Sequence, residues 1–217
     1  MKFAMILRTQ WTWTRTALLS VTALAFLLPI ILIRLYTLGG ISSTLNAIVE
    51  QTTLQTPLTL LAIIGPFVLA ALPWAADAEA KHVYALSLPI PWREYVALRY
   101  GAGAVFLLLP ALALYVSTLL LLSRVTLPDV LHAYPGALAL RFLLASLVAY
   151  SATFALQYLA GRRGPAVLLG VLVGAVLLGG VAVVSGHSSW IDAVQRGLIE
   201  WPGPFAVFVE PWVLIDV

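Results

Sequence analysis

Residues 96–122 read VALRYGAGAVFLLLPALALYVSTLLLL, a stretch of 27 residues in which Arg99 is the one charged side chain. A bilayer core of about 30 Å needs about 20 apolar helical residues, so this stretch is long enough to cross a membrane and to tilt. The whole chain is also strongly apolar, with 62% hydrophobic and 10% charged residues and a mean hydropathy of +1.01. An average soluble domain has about 25% charged residues. The sequence therefore predicts an integral membrane protein.

Four further apolar stretches accompany this one. They cover residues 17–33, 58–76, 138–160 and 165–185. The prediction is an all-α integral membrane protein, a single transmembrane domain over residues 1–217 with five transmembrane helices. A signal peptide is the alternative for residues 17–33, but the apolar run is long for one and no convincing small-x-small cleavage site follows. Residues 186–217 are predicted to be an extracytoplasmic tail, interfacial or re-entrant, with a degenerate sixth span as the alternative.

The distribution of Lys and Arg predicts the orientation, because basic residues concentrate in cytoplasmic loops. With the N-terminus inside, the inner side holds eight basic residues: Lys2, Arg8, Arg15, Lys81, Arg93, Arg99, Arg162 and Arg163. The outer side holds four: Arg34, Arg124, Arg141 and Arg196. We therefore expect a cytoplasmic N-terminus. The tryptophans fall near span ends, where their rings act as interfacial anchors.

Residues 1–15 form a basic leader with an amphipathic pattern. Phe3, Leu7 and Trp11 recur at a spacing of four, while Lys2, Arg8 and Arg15 can reach anionic headgroups. We expect an interfacial helix, with a disordered leader that only sets topology as the alternative.

The charged segment between the second and third spans, residues 77–99, reads DAEAKHVYALSLPIPWREYVALR. Asp77 and Lys81 are spaced to pair on one helix face. Pro89 and Pro91 prevent an uninterrupted helix, which restarts after them, and Arg99 lies one turn into the next span, able to snorkel. The pattern fits a short, rigid helix lying across the membrane surface, and equally fits an ordinary basic loop.

This arrangement resembles the exporter-type (type-two) ABC transporter permease family, whose subunits have about six spans and an N-terminal interfacial helix. In that family an acidic residue ends the second span. A leucine-proline step, two variable residues, a basic pair and an acidic residue then lead into the third. The matching positions here are Asp77 or Glu79, Leu88, Pro89, Arg93 and Glu94, flanked by Leu86 and Arg99. Two features depart from the family pattern: the customary sixth span is missing or very weak, and Trp92 stands where a basic or small polar residue is usual.

The resemblance implies that the loop is a coupling helix seated in a cleft of a cytoplasmic ATPase subunit. The residues that it assigns to this coupling are Asp77, Lys81, Leu86, Leu88, Pro89, Arg93 and Arg99. It also implies two nucleotide-binding ATPase subunits, which would bind ATP and Mg, and a second permease subunit that is identical or different. Substrate would pass between the two membrane subunits.

Small residues and two arginines in the spans have simpler explanations than substrate binding. Gly170 and Gly174 form a GxxxG, which predicts close helix packing within the chain or in a dimer. Pro66 could break its helix around a substrate. Arg34 and Arg141, near the outer ends of their spans, could attract an anionic substrate, although snorkelling explains them more simply.

The remaining residue types argue against several functions. The chain has no cysteine, so thiolate metal sites and cysteine nucleophiles are excluded. Its three histidines, His82, His132 and His187, all fall in loops, and it has no GxxxxGK[ST] phosphate loop. We expect no enzyme activity, no cofactor or metal in this chain, and no nucleic-acid partner.

The sequence thus predicts the permease subunit of an ATP-driven ABC exporter in a bacterial cytoplasmic membrane. A non-transporting scaffold or assembly subunit of a larger membrane complex is the alternative. Within transport, a haem- or copper-maturation permease has a similar size and topology.

Overall fold

The structure, a computed structural model, describes residues 2–38, 52–79, 90–124, 132–160, 170, 206–209, 212 and 214–216. Five long helices lie within these residues: α1 (Lys2–Leu38), α2 (Thr52–Glu79), α3 (Trp92–Phe106), α4 (Leu108–Leu122) and α5 (Pro135–Ala160). A short helix, α6 (Ala206–Val209), and two short strands, β1 (His132–Ala133) and β2 (Ile215–Asp216), are also formed.

Four helical segments of the described chain are long and apolar enough to cross a membrane. They are Lys2–Leu35, Leu54–Asp77, Trp92–Leu122 and Pro135–Leu159. These segments coincide with the first four predicted spans, so the prediction of a multi-pass helical membrane protein is confirmed. The fifth predicted span, residues 165–185, lies outside the described residues except for Gly170.

Helix α1 runs without interruption through the residues expected to form a separate surface helix. Its buried side chains follow one another at a spacing of three or four: Ile6, Gln10, Thr14, Leu18, Val21, Ala25, Pro29 and Ile33. This single stripe gives the whole helix one face against the bundle. The leader is therefore a continuation of the first span, and a distinct interfacial helix over residues 1–15 is not confirmed.

Prolines have different effects in the second and third spans. Helix α2 continues through Pro57, Pro66 and Pro73, so Pro66 does not break it. The third span is divided at Leu107 into α3 and α4. Pro110 explains this division, because its ring clashes with the carbonyl of the residue four positions earlier, Phe106, and it has no N–H to donate.

The helices alternate in direction and so define two ends of the bundle. At the end that we call the loop end lie Lys2, Glu79, Trp92 and Ala160; the opposite end is the tail end. Helix α1 packs against α2, α3 and α4, and α5 packs against α2 and α4. Gly65 allows the α1–α2 approach, since a Cβ there would lie 2.9 Å from Val21 Cγ1.

Described residues near the C-terminus pack on the tail end. Strand β2 pairs antiparallel with β1, with His132 opposite Asp216. Trp212 is buried against Phe142, and its Nε1 donates to the Val207 carbonyl at 3.1 Å. Arg141 Nε donates to the same carbonyl at 3.2 Å. Arg141 thus contacts the tail, which is a structural role that snorkelling alone does not describe.

Candidate functional site

Only some of the residues predicted to couple the chain to an ATPase are described by the structure. Asp77, Arg93 and Arg99 are described; Lys81, Leu86, Leu88 and Pro89 lie outside the described residues. Of the predicted packing glycines, Gly174 is also outside them. Gly170 is described, and among the described residues no atom lies within 4 Å of the position that its Cβ would occupy. The packing predicted for the two glycines stays a prediction.

Asp77 and Arg99 form a buried ion pair at the loop end. Arg99 Nη1 lies 2.9 Å from Asp77 Oδ2, and the two side chains are 2% and 0% exposed. The pair joins the last turns of α2 to the second turn of α3. It therefore closes the base of the segment between the two helices, residues 80–91.

Tyr95 completes this pair into a triad. It lies one turn before Arg99 on α3, so the two side chains share a helix face. Arg99 Nη1 donates to the Tyr95 hydroxyl at 3.0 Å, and that hydroxyl donates to Asp77 Oδ2 at 3.5 Å. The same arginine nitrogen thus donates to both a phenol and a carboxylate.

This geometry differs from the simplest expectation for Arg99. Arg99 was expected to snorkel to the membrane surface, and the structure buries it instead because a carboxylate from the neighbouring helix compensates its charge. The predicted pairing of Asp77 with Lys81 stays a prediction, since Lys81 lies outside the described residues. Asp77 contacts a residue 22 positions away, which local spacing cannot reveal.

Aromatic rings enclose the Arg99 guanidinium. Its Cζ lies 4.4 Å from the centre of the Trp74 ring, 5.6 Å from Tyr95 and 6.0 Å from Trp13. Desolvated cation–π contacts contribute about 2 kcal/mol or more. Trp13 and Trp74, predicted as membrane anchors, therefore also bind an internal cation, and Trp13 brings α1 into the site.

A second polar layer lies one turn further along α3. A Cβ on Gly103 would overlap the Tyr150 hydroxyl of α5 and would lie 2.5 Å from its Cζ and 3.0 Å from Gln10 Nε2 of α1. Only glycine leaves room for these two side chains to meet over α3. Together, the triad and this second layer bring polar groups from α1, α2, α3 and α5 into two adjacent turns of the bundle. We call this group of side chains the polar node: Gln10, Trp74, Asp77, Tyr95, Arg99 and Tyr150.

Several polar atoms of the node have no hydrogen-bond partner within the described residues. They are Gln10 Oε1, Trp74 Nε1 and Arg99 Nη2. An unsatisfied buried polar group costs about 1–3 kcal/mol. The node therefore has spare hydrogen-bonding capacity, and Arg99 in particular has a second nitrogen free to find another acceptor.

The node lies near the boundary of the apolar belt. Exposed large apolar side chains recur on α1 from Leu19 to Leu35. Nearer its start the exposed apolar Phe3 and Met5 alternate with exposed charges, among them Arg8 and Arg15. Gln10 precedes Leu19 by nine residues, about 13 Å of helix. A charged pair at this level is nearer to water than one at the centre of a bilayer, where charges are most costly.

The surface of the loop end carries a second, exposed ion pair. Lys2 Nζ lies 3.1 Å from Glu94 Oε1, with 54% and 41% of the two side chains exposed. Arg93 and Trp92 are exposed beside it. Such a surface pair contributes about 0–1 kcal/mol. Arg93 is therefore available to a partner protein, whereas Asp77 and Arg99 are not.

Sequence reasoning missed half of the node: Gln10, Tyr95 and Tyr150. Gln10 lies in the basic leader, and Tyr150 lies in an apolar span where a lone tyrosine carries no signal. Of the missed residues, Tyr95 could most easily have been predicted, because the sequence shows its i, i+4 spacing to Arg99. Among the described residues no group of three His, Asp or Glu side chains is placed to hold a metal ion.

The fold and the node identify the class of protein. It is a multi-pass helical membrane protein in which a buried ion pair joins the helix ends on either side of one loop. The chain belongs to a family whose model, described as ABC-2 family transporter protein, matches residues 26–209. No curated protein and no solved structure matches the chain.

Membership confirms the resemblance drawn from the loop at the level of the family. The family suggests a permease subunit of an ABC transporter. Such a chain is a transport subunit that is not itself catalytic, and the family implies association with an ATPase subunit. The matched region begins after Gln10 and Trp13, so the node includes residues of α1 that lie outside the matched region.

Proposed function

We propose that the chain is the membrane-spanning permease subunit of an ATP-driven exporter, and that the loop end is where a separate ATPase subunit acts on it. The observation that carries the proposal is the buried Asp77–Arg99 pair. It ties the two helix ends on either side of residues 80–91 in a membrane subunit of a transporter family. A loop held at its base can pass a displacement to its helices, whereas a loosely attached loop would absorb it.

The contact with the ATPase subunit would be made by exposed groups. Arg93 and Trp92 project from the first turn of α3, directly after the loop. We place Lys81, Leu86, Leu88 and Pro89 in the same contact, on the strength of the family resemblance. Asp77 and Arg99 have a different part, since neither has a surface to offer.

The remaining features of the proposal concern the whole transporter. ATP and Mg would be bound by the ATPase subunits, and the substrate would move between this chain and a second permease subunit, identical or not. The loop end would face the cytoplasm of a bacterium, with the N-terminus inside, as the balance of basic residues indicates. The fifth span would cross over residues 165–185, which suits described neighbours at opposite ends: Ala160 at the loop end and Ala206 at the tail end.

The test is a pull-down of the tagged chain in a gentle detergent, with mass spectrometry of the chains that co-purify. We expect a stoichiometric soluble partner that carries an ATP-binding phosphate loop. The variant Leu88→Asp with Arg93→Glu should lose that partner and stay inserted in the membrane.

The matched control is Arg124→Glu, which reverses an equally exposed arginine at the tail end. It should keep the partner. Recovery of membrane or extracytoplasmic partners alone would contradict the proposal and favour the scaffold function. Failure of the double variant to insert would show that the loop residues are structural.

A further inference from the structure

The ion pair at the base of the loop is too deeply buried to touch another protein. Asp77 is 0% and Arg99 2% exposed, although both were expected to couple the chain to an ATPase. Their contribution must therefore be internal. We infer that Arg99 is a positioning residue that joins α1, α2 and α3 into one moving unit and carries displacement of the loop into the bundle. The inference rests on the proposed function.

The first step of this connection runs from α2 to α3. Asp77 lies two residues before the end of α2 at Glu79, and Arg99 lies seven residues after the start of α3 at Trp92. Their contact at 2.9 Å, supported by the Tyr95 hydroxyl, fixes the two helices relative to each other close to the loop. Displacement of the loop must move both helices together or break this contact.

The second step runs from α3 to α1 and α5. Trp74 and Trp13 lie against the guanidinium from α2 and α1. One turn beyond Arg99, Gly103 seats the Tyr150 hydroxyl and the Gln10 amide, which belong to α5 and α1. A shift of α3 along its axis would therefore push directly on both neighbours, because a glycine surface leaves no flexible side chain to give way.

The unpartnered atoms indicate how the node could gain a contact. Arg99 Nη2 and Gln10 Oε1 are a donor and an acceptor, both buried and both without a hydrogen bond among the described residues. Movement of α3 relative to α1 could make a hydrogen bond between them while Nη1 keeps its contact with Asp77, so that no buried charge loses its partner. Two discrete arrangements of one arginine are what a coupling element requires.

The exposed pair Lys2–Glu94 provides the matched control. It also joins α1 to the first turns of α3, at 3.1 Å, and it has the same charges. It differs in exposure, so water replaces the contact when either residue is changed. If a cross-link between helix ends were sufficient for coupling, this pair and the buried pair would behave alike.

The experiment measures a distance within the bundle as ATP binds. The chain has no cysteine, so labels can be placed singly at Leu24→Cys on α1 and Leu144→Cys on α5, both exposed positions away from the node. Spin labels at these sites report their separation by double electron–electron resonance in the assembled complex with its ATPase subunit. Separations are compared without nucleotide and after trapping with ATP and vanadate.

We expect an ATP-dependent shift in the unchanged chain and in Lys2→Met. Asp77→Asn and Arg99→Met should lose the shift while the ATPase subunit remains bound. The charge exchange Asp77→Arg with Arg99→Asp should restore part of the ATP-dependent shift. A merely structural role of Arg99 would not predict this recovery. Tyr95→Phe removes only a hydroxyl and should reduce the shift. This variant keeps the test usable if the charge variants fold poorly.

Two results would overturn the inference in distinguishable ways. A full shift in Arg99→Met or Tyr95→Phe, with the ATPase subunit bound, would overturn the role of Arg99 and leave the proposed function intact. If the unchanged chain binds no ATPase subunit, or binds one and shows no shift, the proposed function fails and the inference fails with it.

Discussion

The two ends of the bundle hold an arginine in different ways. At the loop end, Arg99 is paired with a carboxylate and enclosed by three aromatic rings. At the tail end, Arg141 donates to the Val207 carbonyl and lies 6.0 Å from the Trp212 ring. The first contact is between charges on two helices, with an aromatic ring from a third, while the second fastens a terminal segment to one helix. The loop end thus joins helices of the bundle to one another, whereas the tail end attaches a terminal segment to the bundle.

Breaking the ion pair should have the largest effect on stability. Arg99→Met would remove the buried positive charge that compensates Asp77, and breaking a buried ion pair in this way costs about 3–5 kcal/mol of unfolding free energy. Denaturant unfolding in mixed micelles measures the change. The double variant Arg99→Met with Asp77→Leu should recover most of it, because both charges are gone. Equal loss in the single and double variants would contradict the pairing.

A smaller effect should follow from filling the space over α3. Gly103→Ala would force the Tyr150 hydroxyl aside and cost about 1–3 kcal/mol by overpacking. Thermal unfolding should show this loss, and Tyr150→Phe in the same chain should reduce it. Gly101→Ala is the control on the same helix, since its Cβ would make an ordinary contact 3.8 Å from Phe3 Cε2. If the two glycine variants were equally stable, the close approach at Gly103 would be wrong.

At the tail end, the loss of one hydrogen bond should matter less. Trp212→Phe keeps the ring contact with Phe142 and removes the Nε1 bond to Val207, which is worth about 1 kcal/mol. Since Arg141 still donates to that carbonyl, the tail should stay attached but open more often. Limited proteolysis near the C-terminus would measure how often the tail opens, and we expect faster cleavage in the variant. An unchanged cleavage rate would argue that the tail is held by apolar packing alone.

The surface pair should give the smallest effect. Glu94→Gln removes its charge, and exposed pairs contribute about 0–1 kcal/mol. We expect a change in unfolding free energy that fades with added salt, because mobile ions screen exposed charges. A salt-independent loss would mean that the pair is less solvated than its exposure indicates.

The sequence predicted the membrane class well because apolar length and the distribution of charges are local properties. The spans around residues 17–33, 58–76, 96–122 and 138–160 all correspond to helices of the structure. The separate surface helix is not confirmed, since Ile6, Gln10 and Thr14 continue the buried stripe of the first span. That continuity depends on which helices α1 packs against, so the leader's composition could not reveal it.

The site was predicted only in part for a similar reason. Asp77, Arg93 and Arg99 were identified from their position around the loop, but the sequence could not tell which of them face a partner and which face each other. The pairing of Asp77 with Arg99 depends on the angle between α2 and α3. Gln10 and Tyr150 join the node through tertiary packing across Gly103, and neither lies near the loop in the sequence.

The central claim is that an ATPase subunit docks at the loop end, and cross-linking from single cysteines tests it most directly. Arg93→Cys and Arg124→Cys place one thiol at the loop end and one at the tail end of a chain that has no cysteine. With a short thiol-reactive photo-cross-linker in native membranes, the account predicts that residue 93 captures an ATP-binding subunit and residue 124 does not. Capture of that subunit from residue 124, with none from residue 93, would contradict it.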